Sequence, residues 1–279
     1  MHLRRAFGFG DTKETDPFLL FDDFRGDNPA DYSAGFPWHP HRGIETITYV
    51  LAGEVEHADS LGNRGSIGAG DIQWMTAGRG IVHHEMPKGD ELGRMHGFQL
   101  WANLPSSQKM VAPRYQEVKS PEIPVIIDDD GTEVRVVCGE FWGKRGPVEG
   151  VATEPTYLDI SIPAGKRKVL PVETTRHAFA YVFGGKGKFA NASDSQLVRT
   201  DVIGSEAADV ENRNLVLFDR GDELVVQAGE QGIRFLLVSG KPIEEPVAWR
   251  GPIVMNTQAQ LREAFQQLQD GTFLQGGAH

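Results

Sequence analysis

Short apolar runs separated by turn residues are the main pattern of the chain. Residues 46–51, 72–75 and 98–102 are rich in aliphatic, β-branched and aromatic side chains, and glycine, proline or polar residues bound each run. Runs of this length and composition are typical of β-strands. A further run, residues 54–58, follows the first after only an Ala-Gly pair, so we predict that these two form a hairpin. The pattern as a whole predicts an all-β fold.

Two segments depart from the strand pattern. Residues 109–124 are polar with spaced prolines, which is typical of a connection between domains. In residues 258–268, Leu261, Phe265 and Leu268 recur at helical spacing with good helix formers between them. We therefore predict a short amphipathic helix near the C-terminus.

Histidines are concentrated at two places. Of the nine histidines, His39 and His41 lie in one short segment, and His83 and His84 lie in another. Alternate side chains of a strand share a face, so His39 and His41 point the same way. The same holds for His83 and Glu85. Two such pairs facing each other across a barrel bring three imidazoles and one carboxylate together. Four such ligands suit one transition-metal ion and leave two octahedral positions open for chemistry.

Two glutamates compete for the fourth ligand position. Glu45 shares a face with His41 but lies roughly 13 Å further along an ideal strand, so it reaches the ion only with the help of a bulge. Glu85 is one pleat from His83 and needs no bulge. We therefore predict that Glu85, and not Glu45, completes the ligand set.

The charged neighbours of the ligands are expected to have structural roles. Glu45 is expected to support the site from outside the ligand set by pairing with Arg42 or Arg79. His84 alternates to the face that points away from the ligands. His57 follows the predicted hairpin turn and is expected at the surface.

A faint internal repeat indicates two similar halves. Residues 49–53 (YVLAG) resemble residues 181–185 (YVFGG). Extended to the ligand segments, the alignment sets Pro171 and Glu173 against His39 and His41, and Val226 and Ala228 against His83 and Glu85. A chain of 279 residues is long enough for two domains. We therefore predict a metal-binding domain at residues 1–124 and a domain without the ligands at residues 125–279.

Composition excludes several classes of function. The net charge of −11 provides no basic stripe, so direct binding of nucleic acid is not expected. Cys138 is the single cysteine, so no intrachain disulfide forms and a reducing compartment is expected. No apolar run reaches membrane-spanning length, and the N-terminus lacks the apolar core of a signal peptide. We therefore expect a cytoplasmic protein that does not bind membranes.

The ligand segments resemble a known family. Residues 39–45 and 70–83 match the two halves of the motif that marks cupin barrels. The similarity is closer to one branch, the pirin family, and it covers the chain from about residue 5 to residue 273. The segments that carry it are 16–24 (DPFLLFDDF), 39–46 (HPHRGIET), 73–80 (QWMTAGRG), 83–87 (HHEMP), 100–104 (LWANL) and 249–256 (WRGPIVMN).

This resemblance implies a fold, a metal and an activity. It implies two cupin (jelly-roll) β-barrel domains, and it places the fourth metal ligand at Glu85. The donor set suits Fe, Mn, Co, Ni or Cu, with Zn as a further alternative, and the resemblance implies one Fe(2+). The implied activity is that of a quercetin 2,3-dioxygenase, which cleaves a flavonol with O2. Glu85 would then be both ligand and catalytic acceptor of the substrate's hydroxyl proton.

The resemblance also leaves a second function open. Some members of the pirin family act as metal- or redox-dependent regulators that bind other proteins, in the manner of transcription co-regulators. In that case the metal sets the shape of a surface, and the partner is a protein instead of a small aromatic substrate and O2. We expect the space around the open coordination positions to distinguish the two. A deep aromatic pocket favours catalysis, and a sealed one favours sensing.

Overall fold

Two compact units make up the chain. The structure, a computed structural model, describes residues 1–190, 196–197 and 209–274. The first unit consists of Met1–Thr12, Pro17–Ser120 and Ile243–His279, and the second consists of Lys13–Asp16 and Pro121–Pro242. The predicted ranges, 1–124 and 125–279, differ from these units chiefly at the end of the chain, because the residues from Ile243 onward pack with the first unit.

Strands dominate both units, and the elements are as follows in chain order. The elements up to Ser120 are β1 (Arg4–Phe7), α1 (Thr12–Thr15), β2 (Phe18–Asp23), α2 (Pro29–Tyr32), β3 (Phe36–His41), β4 (Ile44–Ala52), β5 (Glu54–Asp59), β6 (Arg64–Gly68), β7 (Ile72–Thr76), β8 (Ile81–Lys88), β9 (His96–Asn103) and β10 (Arg114–Val118). The second unit has β11 (Val125–Ile127), β12 (Glu133–Cys138), β13 (Glu140–Phe141), β14 (Lys144–Arg145), β15 (Thr156–Ile162), β16 (Arg167–Pro171), β17 (His177–Ala190), β18 (Gln196–Leu197), β19 (Val210–Glu211), β20 (Asn214–Phe218) and β21 (Glu223–Gly240). The chain then continues with β22 (Ala248–Arg250), β23 (Ile253–Met255) and α3 (Gln258–Gln269).

The first unit is built on two antiparallel sheets. One has six strands in the order β1-β2-β9-β4-β7-β10, and the other has four in the order β3-β8-β5-β6. Apolar side chains such as Leu19, Ile44, Met75 and Ile81 form one buried cluster of this unit. The predicted strands at residues 46–51, 72–75 and 98–102 are confirmed as parts of β4, β7 and β9.

The predicted hairpin between residues 46–51 and 54–58 is wrong. β4 pairs with β7 and β9, whereas β5 pairs with β6 and β8 in the other sheet. Gly53 has a φ of +81°, which glycine adopts without strain, and here it carries the chain from one sheet to the other. The apolar runs predict both strands correctly, but local pattern does not show which sheet each strand joins.

The segment 109–124 is only partly a connection. Its residues Arg114–Val118 form β10, which pairs with β7 at the edge of the six-stranded sheet.

The predicted C-terminal helix is confirmed as α3. It begins after Thr257, whose side chain accepts a hydrogen bond from the Gln260 backbone while the Gln260 side chain returns to the Thr257 backbone. This capping box satisfies two backbone donors that the helix itself leaves unpaired. Leu261 and Ala264 are buried against Ile253, so α3 and β23 anchor the end of the chain within the first unit.

The second unit is built on one large antiparallel sheet. Its central path runs β11-β12-β15-β21-β17-β20-β18, with β16 on β21 and β19 on β17. Val136, Leu158, Val182 and Phe235 are among the side chains of its buried core. Cys138 is a buried strand residue, and its thiol donates to the Val148 carbonyl oxygen at 3.5 Å. Across the described residues, no helix of the structure is long and apolar enough to cross a membrane.

Candidate metal centre

Two neighbouring strands bring three histidines together. β3 pairs with β8 so that His39 lies opposite His83, and a bulge between Phe36 and His39 shifts the register. Ligand nitrogens of His39, His41 and His83 all lie within 4.8 Å of one another. The ring centroids are 4.5 to 5.0 Å apart. The alternation of strand side chains therefore placed the three histidines correctly.

Burial keeps two of these imidazoles neutral. His41 and His83 are each about 1% exposed, whereas His39 is half-buried. Burial lowers the pKa of His83 to about 4 and holds the pKa of His41 well below its usual range. Since neutral imidazole is the form that binds metals, both rings are in the correct protonation state at neutral pH.

Backbone carbonyls orient two of the rings. Nδ1 of His39 lies 2.8 Å from the Pro37 carbonyl oxygen, and Nδ1 of His41 lies 3.3 Å from that of Pro252. A carbonyl only accepts, so in each neutral ring Nδ1 carries the proton and Nε2 offers its lone pair. The C-terminal strands of the first unit thus supply one of the two contacts that orient the ligands.

The spacing of the ring nitrogens fits one bound cation. Nε2 of His83 lies 3.1 Å from Nε2 of His39. Two nitrogens bound at right angles to one ion, each at about 2.1 Å, lie about 3.0 Å apart. Nδ1 of His83 is buried without a hydrogen-bond partner. The three side chains therefore fit a transition-metal ion by chemistry, protonation state and spacing.

Glu85 lies on the same strand as His83 but faces its own set of donors. Its carboxylate is buried, with Nε2 of Gln99 at 3.4 and 3.3 Å from its two oxygens and Oγ1 of Thr48 at 3.4 Å. A carboxylate only accepts hydrogen bonds, so these donors suit it. Its oxygens are not within the 4.8 Å grouping of the three histidines, and its assignment as a ligand stays a prediction.

Glu45 is on the other sheet and is bonded elsewhere. It lies on β4, where Oγ1 of Thr76 donates to its Oε1 at 2.7 Å, and burial raises its pKa. The expected pairing with Arg42 is wrong. The Arg42 guanidinium instead donates to the Arg79 carbonyl, to Gln267 and to the Phe273 carbonyl. It therefore joins the ligand strand to the C-terminal helix.

The other histidines described in this unit lie outside the cluster. His84 contacts the exposed ring of Trp38, as its opposite parity predicts. His57 is buried, so its prediction as a surface residue is wrong; its Nε2 is 2.6 Å from a carboxylate oxygen of Glu117. The reason is the topology: β5 runs beside β8 in the four-stranded sheet, and His57 lies opposite Glu85.

A tight turn sets the start of the ligand strand. Gly78 has a φ of +50°, and a Cβ atom there would lie 2.2 Å from the Val111 carbonyl oxygen. Only glycine meets both requirements without strain. The segment 78–80 therefore serves as a turn that leads into β8.

Little free space adjoins Glu85. A cavity lined by Phe24, Phe36 and Val55 on its apolar side and by Thr48 and Gln99 beside the carboxylate has about 10 Å³ of free volume. That is room for about one water molecule.

Three of the four aligned positions of the second unit carry apolar side chains, and the fourth, Glu173, pairs with Arg176 at 2.9 Å. Val226 and Ala228 on β21 are buried in its core, and Pro171 ends β16. Within the described part of the chain, the group of possible metal ligands that the structure brings together is the histidine cluster of the first unit.

Gln99 and Pro252 belong to the site and were not identified from the sequence. Gln99 and Trp101 share a face of β9, and Trp101 packs against His41 with its ring centroid 5.0 Å from the imidazole. A polar Gln99 between the apolar residues of a predicted strand was the available signal. Pro252 carried no signal, because its role depends on how the distant end of the chain packs.

Comparison with known proteins finds matches along most of the chain. Residues 1–102 match the family model of Pirin, and residues 157–274 match that of the Pirin C-terminal cupin domain. A pirin-like protein of Caulobacter vibrioides is 43% identical over 98% of this chain and 93% of its own length. Human pirin is 40% identical over 94% of this chain and 84% of its own length. The crystal structure of a quercetin 2,3-dioxygenase from Acinetobacter baumannii superposes with a TM-score of 0.83 at 29% identity, covering 98% of this chain and 91% of that one.

Fold and site together define a class. The chain is a bicupin, an all-β protein with two cupin domains and a short C-terminal helix, and its N-terminal domain carries a three-histidine cluster that suits one metal ion. The extent of the matches also shows the family: the chain belongs to the pirin family.

Proposed function

We propose that this protein is a metal-dependent dioxygenase of the quercetinase type, which cleaves a flavonol such as quercetin with O2. The observation that carries the proposal is the convergence of three imidazoles, with two ring nitrogens 3.1 Å apart, next to a buried carboxylate on the same strand. The similarity to a crystallised quercetin 2,3-dioxygenase supports the choice of reaction.

In this proposal, His39, His41, His83 and Glu85 hold one Fe(2+), and Mn, Co, Ni, Cu and Zn are the alternatives. The bound metal would supply a binding site for the substrate's hydroxyl oxygen and for O2. Pro37 and Pro252 orient two of the imidazoles through their carbonyl oxygens. Burial of the cluster excludes bulk water from the reacting atoms.

Glu85 has a second role in this proposal. As a buried carboxylate beside the ion, it accepts the proton of the substrate's hydroxyl group at one of its oxygens. Gln99 and Thr48 donate to the carboxylate and hold it in place. The half-buried His39 marks the side from which a flat aromatic substrate reaches the ion.

Oxygen uptake tests this function. The protein is loaded with Fe(2+) under anaerobic conditions and then mixed with aerated buffer and quercetin in an oxygen electrode. The products are separated by chromatography. We expect O2 uptake that depends on both metal and flavonol, and a loss of at least a hundredfold in Glu85→Gln. Glu45→Gln is the matched control, because Glu45 is an equally buried glutamate bonded to Thr76, and it should retain most of the activity. Absence of flavonol-dependent O2 uptake, or full activity in Glu85→Gln, contradicts the proposal.

One observation favours the regulatory alternative. The cavity beside Glu85 has about 10 Å³ of free volume, far less than the 300 Å³ or more that is typical of a small-molecule pocket. In this second proposal, the metal stabilises a surface that binds a regulatory protein partner. A partner recovered by metal-loaded protein, and absent when His83→Ala is used as bait, supports it. Equal recovery by both excludes it.

We further propose that the protein acts in the cytoplasm without direct contact to nucleic acid. The single cysteine of the chain, Cys138, supports the cytoplasmic location, and the net charge of −11 supports the exclusion of nucleic acid.

A further inference from the structure

Trp101 fixes which way the side-chain amide of Gln99 points. The indole nitrogen Nε1 of Trp101 donates to Oε1 of Gln99 at 3.2 Å. An indole N–H is a donor only, so the amide oxygen must face Trp101 and the amide NH2 must face the other way. That NH2 group points at Glu85 and Thr48. If the amide were reversed, its NH2 group would face the Trp101 N–H, donor against donor, and its oxygen would face the Glu85 carboxylate, acceptor against acceptor.

The NH2 group of Gln99 lies between the two carboxylate oxygens of Glu85. Its nitrogen is 3.4 Å from Oε1 and 3.3 Å from Oε2. A donor at equal distance from both oxygens occupies the position that a bidentate cation would take. That position is therefore closed to a metal, and an ion would bind one oxygen of Glu85 through a lone pair that faces away from Gln99. Both contacts are longer than an ordinary N–H···O hydrogen bond.

The same tryptophan also touches a histidine of the cluster. The ring of Trp101 meets that of His41 edge to face at 5.0 Å. One side chain thus contacts an imidazole directly and reaches the carboxylate through Gln99. The neighbouring strands have ordinary antiparallel register here, with Thr48 of β4 opposite Gln99 of β9.

We propose that Gln99, oriented by Trp101, is a positioning residue that presents Glu85 to the metal as a monodentate ligand. This inference rests on the proposed role of Glu85 as a ligand. Outer partners of metal ligands typically contribute about 10- to 100-fold in metal affinity. In this proposal Gln99 contacts neither the metal nor the substrate, and it acts through the Glu85 carboxylate alone.

Metal affinity measured without turnover tests the proposal. The full-length protein is titrated with Co2+ against a chelating dye, and the absorption spectrum of bound Co2+ reports the ligand set. We expect Gln99→Leu to weaken Co2+ binding at least tenfold and to alter the spectrum. Trp101→Phe keeps a ring against His41 but removes the N–H that orients the amide, so we expect a smaller loss in the same direction.

Gln73→Leu is the matched control. Gln73 is a buried glutamine on β7, opposite Thr48 on the side away from Gln99, and its amide donates to Glu117 at 3.1 Å. It should bind Co2+ within about twofold of the wild type. Thermal unfolding of each variant, followed by circular dichroism, shows whether it is folded at the temperature of the titration. If Gln99→Leu is unfolded at that temperature, Trp101→Phe provides the test.

A double-mutant cycle separates positioning from general damage. In a Glu85→Ala background, Gln99→Leu should change Co2+ affinity by less than about twofold, because the carboxylate on which it acts is gone. Wild-type affinity in Gln99→Leu, or the same loss with and without Glu85, overturns the inference. Failure of the proposed function is distinct: protein that shows the Gln99 effect on Co2+ binding but consumes no O2 with flavonols supports the positioning role and contradicts the dioxygenase.

Discussion

Arg42 joins the metal-ligand strand to the C-terminal helix, and its removal should destabilise the first unit strongly. The side chain is about 4% exposed. Its three donors reach the Arg79 carbonyl at 2.5 Å, Gln267 at 2.7 Å and the Phe273 carbonyl at 2.8 Å. The guanidinium also lies 4.0 Å from the centroid of the Phe273 ring.

The magnitude follows from the partners that Arg42→Met leaves behind. Methionine keeps the apolar stem, but the two carbonyl groups lose their donor, at about 1–3 kcal/mol each. Loss of the cation–π contact adds about 1 kcal/mol, and Gln267 can turn to solvent. We expect a loss of about 3–7 kcal/mol in the free energy of unfolding, which for a unit of this size lowers Tm by roughly 10–20 °C.

Guanidinium unfolding followed by tryptophan fluorescence measures this change. Four of the five tryptophans, at positions 38, 74, 101 and 249, belong to the first unit, so the signal reports chiefly on it. Arg145→Met is the control, because its ion pair with Glu140 is exposed and such pairs contribute less than about 1 kcal/mol. A loss below about 1 kcal/mol in Arg42→Met would refute the reasoning that Arg42 holds the C-terminal segment in place.

Three further changes test other contacts of the first unit. Gly43→Ala should destabilise it by more than about 3 kcal/mol, because φ is +77° and the new Cβ would lie 1.9 Å from the Val254 carbonyl oxygen; a Tm equal to that of the wild type contradicts this. Burial lowers the pKa of Lys109 to about 7 in the folded protein, from 10.5. Between these two pH values Lys109 is protonated in the unfolded chain but largely neutral in the folded one. The free energy of unfolding therefore rises with pH in this range, by up to about 1.4 kcal/mol per pH unit. Lys109→Met should flatten that slope, and unfolding curves from pH 7 to 10 that keep it would show that Lys109 is not its source. Thr257→Ala removes the cap of α3 and should cost about 1 kcal/mol, seen as faster amide hydrogen exchange in the first turn of the helix; unchanged exchange would show that the capping box does not stabilise it.

The three histidines were predictable because their placement depends on local alternation. His39 and His41 share one face of a strand, and His83 and Glu85 alternate in the same way in a second strand. Pairing of β3 with β8 then brings the segments together. The role of Glu85 as a buried carboxylate beside His83 follows from the same alternation, although its partner Gln99 depends on which strand pairs with β4.

What the sequence did not show depends on long-range packing. The turn at Gly53 looks like a hairpin locally, but it links two sheets, and this is also why His57 is buried. The residues from Ile243 onward pack with the first unit, and only then does Pro252 reach His41. Neither arrangement leaves a periodic signal in the chain.

Anomalous diffraction from crystals of metal-loaded protein, measured at the absorption edge of the metal, tests the central claim most directly. The account predicts one peak per chain, about 2.0–2.3 Å from a ring nitrogen of His39, His41 and His83 and from one oxygen of Glu85. A peak elsewhere, or a metal bound by the three histidines while both oxygens of Glu85 lie beyond ligand distance, would contradict it.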